Sequence, residues 1–328
     1  MFRWGVLSTA KIARDQVIPQ LQDSENGVVA AIASRDLEKG RALAARFSIP
    51  RVHGSYDALL ADPEVDGVYI PLPTSQHVEW TLRAIEAGKH VLCEKPIALE
   101  ASQIEPLIAA RNRKGVVVSE AFMVTYHPQW AKVRELVRDG SIGRLRQVQG
   151  AFTYYNVDPM NMRNQPGLGG GGLPDIGVYP TVATRFVTSA EPKRLRATIE
   201  RDPTFGTDIF ADVTADFGEF HLSFYCSTQM ALRQSMIFHG DRGYIEVSAP
   251  FNAGDYGHAT VTLHDQRQTG ASIFRFPGVR QYRLQAEAFV RRAQGGTDAV
   301  FPLEDSVRNQ KVIDACYRAA GHDGWEAV

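Results

Sequence analysis

The sequence predicts an α/β protein: a doubly wound parallel sheet first, then an α+β domain built on a large, mostly antiparallel open sheet. Three observations carry this. Over the first 120 residues short apolar runs rich in β-formers alternate with amphipathic helical stretches. From Leu145 onward the pattern changes to longer alternating strands. And 328 residues is roughly twice the ~150 typical of one domain.

Taken in order, Phe2 to Leu7 reads as a strand, and the stretch from Ile12 to Leu21 sets Ile12, Val17, Ile18 and Leu21 on one helical face. Strand Val28 to Ala33, helix Leu37 to Phe47, strand Gly67 to Ile70 and helix His77 to Ala87 follow. Strand His90 to Cys93, helix Glu100 to Lys114 and strand Val116 to Ser119 complete the repeated β-α-β pattern, whose crossovers are right-handed. The later strands are Leu145 to Tyr155, Asp212 to Phe217, Glu219 to Cys226, Ser235 to Phe238, Gly243 to Val247 and Ala259 to His264. A helix is expected from Asp175 to about Thr188, and two more near Tyr282 to Gln294 and Leu303 to Ala320. The expected domains are 1–122 and 123–328, with the helix 303–320 packing back on the first.

Lys and Arg total 36 against 37 Asp and Glu, so no sequence-wide basic field exists to hold nucleic acid or anionic lipid. Cys93, Cys226 and Cys316 stand too far apart for a disulfide framework or a metal-binding spacing. No apolar run approaches the ~20 residues that span a bilayer. A cytoplasmic protein with a small-molecule ligand and no bound metal is the expectation.

The turn after the first strand, Ser8-Thr9-Ala10-Lys11-Ile12-Ala13, has the place of a dinucleotide fingerprint, with Ser8, Ala10 and Ala13 at its three small positions. Small residues there let backbone N–H groups at a helix N-terminus approach a pyrophosphate. A tight turn packed for its own sake has the same signature. The second strand ends in Ser34 and Arg35, near the spacing of the ribose-reading residue. A hydroxyl and a planar cation suit a 2′-phosphate, so NADP(H) is favoured, with NAD(H) as the alternative. The plainer reading makes Arg35 a solvated charge and Asp36 a helix N-cap. At the end of the strand His90 to Cys93, Glu94-Lys95-Pro96 puts a lysine where parallel sheets bind ligands. Pro96 restrains Lys95 to an extended conformation and permits a cis bond.

Glu94-Lys95-Pro96, the preceding Ala87-Gly88-Lys89-His90-Val91-Leu92-Cys93, and the loop Pro71-Leu72-Pro73-Thr74-Ser75-Gln76-His77 resemble the glucose-fructose oxidoreductase/inositol dehydrogenase (Gfo/Idh/MocA) family. Glu120-Ala121-Phe122-Met123 with Tyr126-His127-Pro128, and Gly169 to Gly172 with Asp175-Ile176-Gly177-Val178-Tyr179, extend the resemblance over nearly the whole chain. It is strongest toward the branch of NADP-dependent aldose dehydrogenases. The resemblance implies catalytic roles for Lys95, Asp175 and Tyr179. It implies cofactor contacts at Ser8, Thr9, Ala10, Lys11, Ile12, Ser34, Arg35, Pro71, Leu72, Pro73, His77, Glu94 and Lys95. Several members of the family have histidine where this chain has Tyr179, which sets it among the tyrosine users. The glycine-poor turn departs from the common family form.

Hydride transfer to or from a hydroxyl-bearing carbon needs a group that takes or returns the hydroxyl proton. Tyr179 can do so if a cation such as Lys95 lowers its pKa from about 10. Asp175 and Tyr179, four apart, share a helical face. Alone, Tyr179 would be an amphipathic core residue and Asp175 an N-cap. His77 and His127 fall in family-like loops and are expected to line the cofactor cleft, and for either a cap or loop role is the plain alternative. Tyr155, Asp158, Asn161 and Arg163, a polar segment after a strand, are candidates for holding a polyol, with a solvated loop as the alternative.

These readings lead to an NADP-dependent oxidoreductase acting on the CH–OH group of a sugar, first an aldose 1-dehydrogenase of the D-xylose dehydrogenase kind. A keto-sugar reductase, for 1,5-anhydrofructose or a nucleotide-linked 3-ketosugar, is the runner-up. A noncatalytic nicotinamide-binding sensor is the alternative of another class. A homodimer or homotetramer through the C-terminal sheet is expected, from the resemblance and from the apolar Phe220, Leu222 and Phe224.

Overall fold

Strand β1 (Phe2–Leu7) is flanked on both sides by parallel partners, β2 (Gly27–Ala33) and β4 (Gly67–Ile70). With β3 (Arg51–His53), β5 (His90–Cys93) and β6 (Val118–Glu120) they form an all-parallel sheet in the order β3-β2-β1-β4-β5-β6. The computed structural model describes residues 1–328, in two compact units: Met1–Tyr126 with Arg280–Val307, and His127–Val279 with Arg308–Val328.

In the first unit, one sheet face packs Val68, Ile70, Val91 and Cys93 against Leu59, Ile85, Ile104 and Leu107 from the intervening helices. β1 also carries Phe2 and Trp4, and these are covered from far along the chain. Helix Gln281–Ala293 brings fully buried Phe289 to within 5.2 Å of the Trp4 ring and 6.4 Å of Phe2, centre to centre. The Asn26 side chain ties on by donating to Glu287 O at 2.9 Å. The expected boundary at 122/123 is therefore corrected: residues 280–307 belong with the first unit because an aromatic face of β1 needs a cover that the local sequence does not supply. The expected return of helix 303–320 is corrected in extent, since only Leu303–Val307 group there and the helix continues into the second unit from Arg308.

The second unit is a nine-stranded sheet: β7 (Leu145–Tyr155), β8 (Arg194–Arg201), β9 (Asp208–Asp216), β10 (His221–Ser227), β11 (Gln229–Gly240), β12 (Gly243–Val247), β13 (Thr260–Asp265), β14 (Ala271–Arg275) and β15 (Glu326–Ala327). The order is β14-β13-β12-β11-β7-β10-β9-β8-β15, antiparallel except between β7 and β10. Helices Pro128–Arg138 and Val178–Thr188 pack with it. The apolar trio is corrected as well. Phe220, Leu222 and Phe224 are 5%, 1% and 3% exposed within the chain itself, so they offer no outward face. Their strand neighbours His221, Ser223 and Tyr225 point the other way, as a period of two requires.

The elements that escaped the sequence reading include β3, β14 and helix Tyr56–Leu60, which are short, the charged β8, and helix Pro128–Arg138, although it buries Trp130, Val133 and Leu136. β8 reads Arg-Leu-Arg-Ala-Thr-Ile-Glu-Arg, and its charged positions lie exposed beside fully buried Leu195.

Phe289→Ala is expected to cost about 3–5 kcal/mol by leaving a cavity against Trp4, measured by urea unfolding. A loss below about 1 kcal/mol would mean that the aromatic cover does not hold this helix to the sheet.

Candidate active site

Because the strand order reverses between β1 and β4, the loops leaving their carboxyl ends diverge, which is where open parallel sheets bind ligands. Ser8 sits at the first of these ends with φ +112°, a conformation that favours glycine. Its N–H donates to Ala33 O at 3.0 Å. Its Oγ accepts from Ala10 N–H at 3.2 Å and donates to Pro71 O in the β4 loop at 3.5 Å. The turn thus keeps a glycine-like shape with a hydroxyl in place of the missing glycine. Ser8, Thr9, Ala10 and Ile12 are half-buried there and Lys11 is exposed.

After β2, Ser34 is buried and its Oγ accepts the Asp36 N–H at 3.2 Å. Arg35 is exposed and hydrogen-bonds the buried Tyr56 hydroxyl, whose pKa burial raises and Arg35 lowers. Asp36 caps helix Leu37–Phe47 through Lys39 N–H at 3.1 Å. The cap reading of Asp36 and the outward guanidinium of Arg35 coexist.

After β5, Glu94 accepts from the Tyr69 hydroxyl at 2.7 Å. Lys95 is half-buried, and its bond to Pro96 is cis. In the loop after β4, Pro71 and Leu72 are buried and Pro73 is half-buried. His77 is 1% exposed, with Nδ1 2.7 Å from Pro96 O and Nε2 2.7 Å from Leu72 O. Burial pushes its pKa down, against the pull of the two carbonyls. Through these two carbonyls His77 joins the loop after β4 to the segment after β5.

Glu120 was not among the sequence candidates. It ends β6, is 2% exposed, and accepts Ile97 N–H at 2.9 Å. Burial raises its pKa from 4.5 to about 7, opposed by the Ser306 hydroxyl, the Ile97 N–H and the Lys95 charge.

In the second unit, Asp175 lies in a π-helical turn, Leu173–Gly177, that leads into helix Val178–Thr188 with Tyr179 in its first turn. Such turns recur at functional sites. Asp175 Oδ2 accepts both from Arg163 Nε at 2.7 Å and from the Tyr154 hydroxyl at 2.7 Å. Arg163 is raised above its ordinary range chiefly by Asp175, and it also feels Tyr179. Burial, then the Asp175 charge, raises Tyr154. Tyr179 is 5% exposed, its ring 5.5 Å from Phe152 and 5.3 Å from Phe251.

Of the expected polyol-holding group, Arg163 thus stands with Asp175 and near Tyr179. Tyr155 is 68% exposed, and alternation along β7 gives Tyr154 the contact with Asp175. Asp158 and Asn161 spend side-chain oxygens on their own turns, accepting Met160 N–H at 2.9 Å and Arg163 N–H at 3.1 Å. His127 is also structural: its Nδ1 accepts Gln129 N–H at 3.2 Å at the start of helix Pro128–Arg138, and burial drives its pKa to about 4.

The glycine-rich approach is dictated by crowding. Gly171 has φ +136°, and a Cβ there would collide with the Asp208 carboxylate. Buried Asp208 accepts Leu173 N–H at 2.6 Å and the Tyr317 hydroxyl at 2.7 Å, anchoring the turn that carries Asp175. No group of three or more His, Cys, Asp or Glu is placed to hold a metal ion, and no helix is long and apolar enough to cross a membrane.

A parallel sheet of this order, with Lys95 following β5, is a Rossmann-type nucleotide-binding architecture, and the helical turns of the second unit hold Arg163, Asp175 and Tyr179. Residues 2–122 match the oxidoreductase family with an NAD-binding Rossmann fold, and residues 130–246 match the GFO/IDH/MocA C-terminal domain. The chain belongs to the Gfo/Idh/MocA family. It is 43% identical to an uncharacterized oxidoreductase of Rhizobium meliloti, over 100% of this chain and 99% of that one. It is 33% identical to D-xylose 1-dehydrogenase (NADP(+)) 2 of Haloferax volcanii, over 97% of each. A 3-ketoreductase from Actinomadura kijaniata, solved with NADP and TDP-benzene, superposes with a TM-score of 0.91 at 30% identity, covering 97% of each chain. That ketoreductase was also solved with a tyrosine changed to phenylalanine and with a lysine changed to alanine.

The raised Glu120 pKa fixes the sign of a pH dependence. The fold binds this proton more tightly than the unfolded chain, so the stabilisation is full below about 4.5 and is lost as pH rises through about 7. Glu120→Gln should remove on the order of 3 kcal/mol of that loss between the two ends of the window, read as a flatter pH profile of urea-unfolding free energy. A profile unchanged from the parent would show that Glu120 does not titrate in this range.

Proposed function

We propose that this protein transfers a hydride between NADP(H) and a sugar or sugar derivative, acting first as an aldose 1-dehydrogenase. The single observation that carries the reading is the buried Tyr179 beside the Arg163–Asp175 pair, 2.7 Å apart. A phenol near a fixed guanidinium can give up a proton and take it back. Asp175 holds Arg163 in place and presents a carboxylate to a polyol. Lys95, at the ligand-binding edge of the parallel sheet, supplies a cation that orients the reacting oxygen. The loop at Ser8 to Ile12 approaches the pyrophosphate, and Arg35 reads the 2′-phosphate, so NADP is favoured over NAD.

The relative from Haloferax volcanii supports aldose oxidation. A second reading, reduction of a nucleotide-linked 3-ketosugar, is supported by the likeness to the 3-ketoreductase solved with NADP and TDP-benzene. The two readings use the same proton and hydride and differ in substrate. A panel of D-xylose, D-glucose, 1,5-anhydrofructose and a dTDP-linked 3-ketosugar, followed by nicotinamide absorbance with both cofactors in both directions, separates them. Turnover of none of these would sink both. A homodimer or homotetramer is retained as part of the proposal, through the face of the second sheet opposite Phe220, Leu222 and Phe224, and light scattering at micromolar concentration tests it.

Arg35→Ala should weaken NADP(H) binding by about 10- to 150-fold, equivalent to ~1.5–3 kcal/mol, and leave NAD(H) nearly unchanged. Equal losses for the two cofactors would remove Arg35 from the ribose site. Tyr179→Phe should lower kcat by ~10²–10⁴-fold with little change in NADPH affinity. Near-parental turnover would reassign the proton, with Lys95 the next candidate.

A further inference from the structure

We propose that Glu120 and His77 are positioning residues that grip the Pro96–Ile97 peptide from both ends and so fix the backbone from which Lys95 projects. The inference rests on the assignment of Lys95 to the reaction. Glu120 Oε1 accepts the N–H of this peptide at 2.9 Å, and His77 Nδ1 stands 2.7 Å from its carbonyl oxygen. A peptide is planar, so holding its two ends sets the orientation of the whole unit. The ring of Pro96 fixes its own φ and restricts ψ of Lys95, so ψ of Pro96 is the softest rotation between Lys95 and the segment that follows. That rotation is the one the two contacts lock.

Both gripping residues come from elsewhere in the first unit. Glu120 ends β6, and His77 opens helix His77–Glu86. Through Nε2, 2.7 Å from Leu72 O, His77 ties the same peptide to the loop after β4. A neutral imidazole carries one N–H, and burial favours the neutral ring, so His77 donates to one of these carbonyls, the tautomer with N–H on Nδ1 being the one that grips Pro96 O. Glu120 faces the Ser306 hydroxyl and the charges of Lys95 and Glu94, and the Cys93 thiol feels it in turn; His77 faces Lys95. A buried carboxylate is costly to keep. Here it meets the backbone and the lysine charge at once, which an apolar side chain packed for stability could not do.

The test uses the full-length Glu120→Ala, Glu120→Gln, His77→Ala and Lys95→Ala variants. It reads kcat and KM for the panel sugar turned over fastest by the parent, NADPH Kd by fluorescence, and Tm. Displacement of a catalytic group by about 1 Å can cost 10²-fold. Glu120→Ala and His77→Ala are expected to lower kcat ~10- to 100-fold while NADPH Kd and sugar KM stay within about threefold. Glu120→Gln, whose amide oxygen still accepts Ile97 N–H, should recover kcat to within about fivefold of the parent. If Glu120→Ala does not fold, Glu120→Asp, one methylene shorter, replaces it and should show the same kcat loss. Parental kcat in the shortened or truncated Glu120 variant, or a loss in Glu120→Gln as large as in Glu120→Ala, would overturn the proposal. Parental turnover in Lys95→Ala would instead overturn the assignment of Lys95 on which it rests.

Discussion

Parallel pairing on both sides of β1 is the constraint from which the first unit follows. A strand with parallel partners on each flank must send its neighbours' crossovers to opposite faces of the sheet, so the loops leaving β1 and β4 part at their carboxyl ends. Ser8 and Pro71 mark the two sides of that parting, joined by one hydrogen bond. Everything assigned to the nicotinamide side, from the Ser8 turn to Arg35 and Lys95, hangs from this edge. β1 also demands cover for Phe2 and Trp4, and Phe289 supplies it.

The second unit depends on a different device, buried charge held by specific partners. Asp208 anchors the start of the π-helical turn through Leu173 N–H, and Asp175 within that turn is clamped by Arg163 and Tyr154. Such groups are costly to bury and strongly destabilising to unpair, which makes them poor ornaments for a fold and good rulers for a site. Gly171 shows how tight the ruler is, since a single methyl there would meet the Asp208 carboxylate. Glu120 and His77 play the corresponding part in the first unit, acting on backbone rather than on another side chain.

Family membership and local chemistry meet at the tyrosine. A phenol has a pKa too high for proton exchange near neutrality unless a positive field lowers it. The Arg163 guanidinium, raised chiefly by Asp175 and also feeling Tyr179, is a cation within the same unit, where the sequence reading looked to Lys95 and gave Arg163 to substrate. Substrate identity is a further question, since similar proteins on this fold include a D-xylose 1-dehydrogenase and a 3-ketoreductase.

Local periodicity made much of this protein legible in the sequence. Helix Leu37–Phe47 and strands Gly67–Ile70, His90–Cys93 and Leu145–Tyr155 occupy the residues expected of them, because alternation and a 3.6-residue period are properties of neighbours along the chain. The loops bearing Ser8, Arg35 and Lys95 were legible for the same reason, since each follows a recognisable strand. What only the tertiary structure decided concerns partners distant in sequence or the face that a side chain takes. Phe289 covering Trp4, Tyr154 rather than Tyr155 on Asp175, His77 set between two carbonyls, and Phe220, Leu222 and Phe224 turned inward are all of this kind. A strand's pattern says that alternate residues part company, but which set faces the core is fixed by what packs against the sheet, and that is a property of the folded chain as a whole.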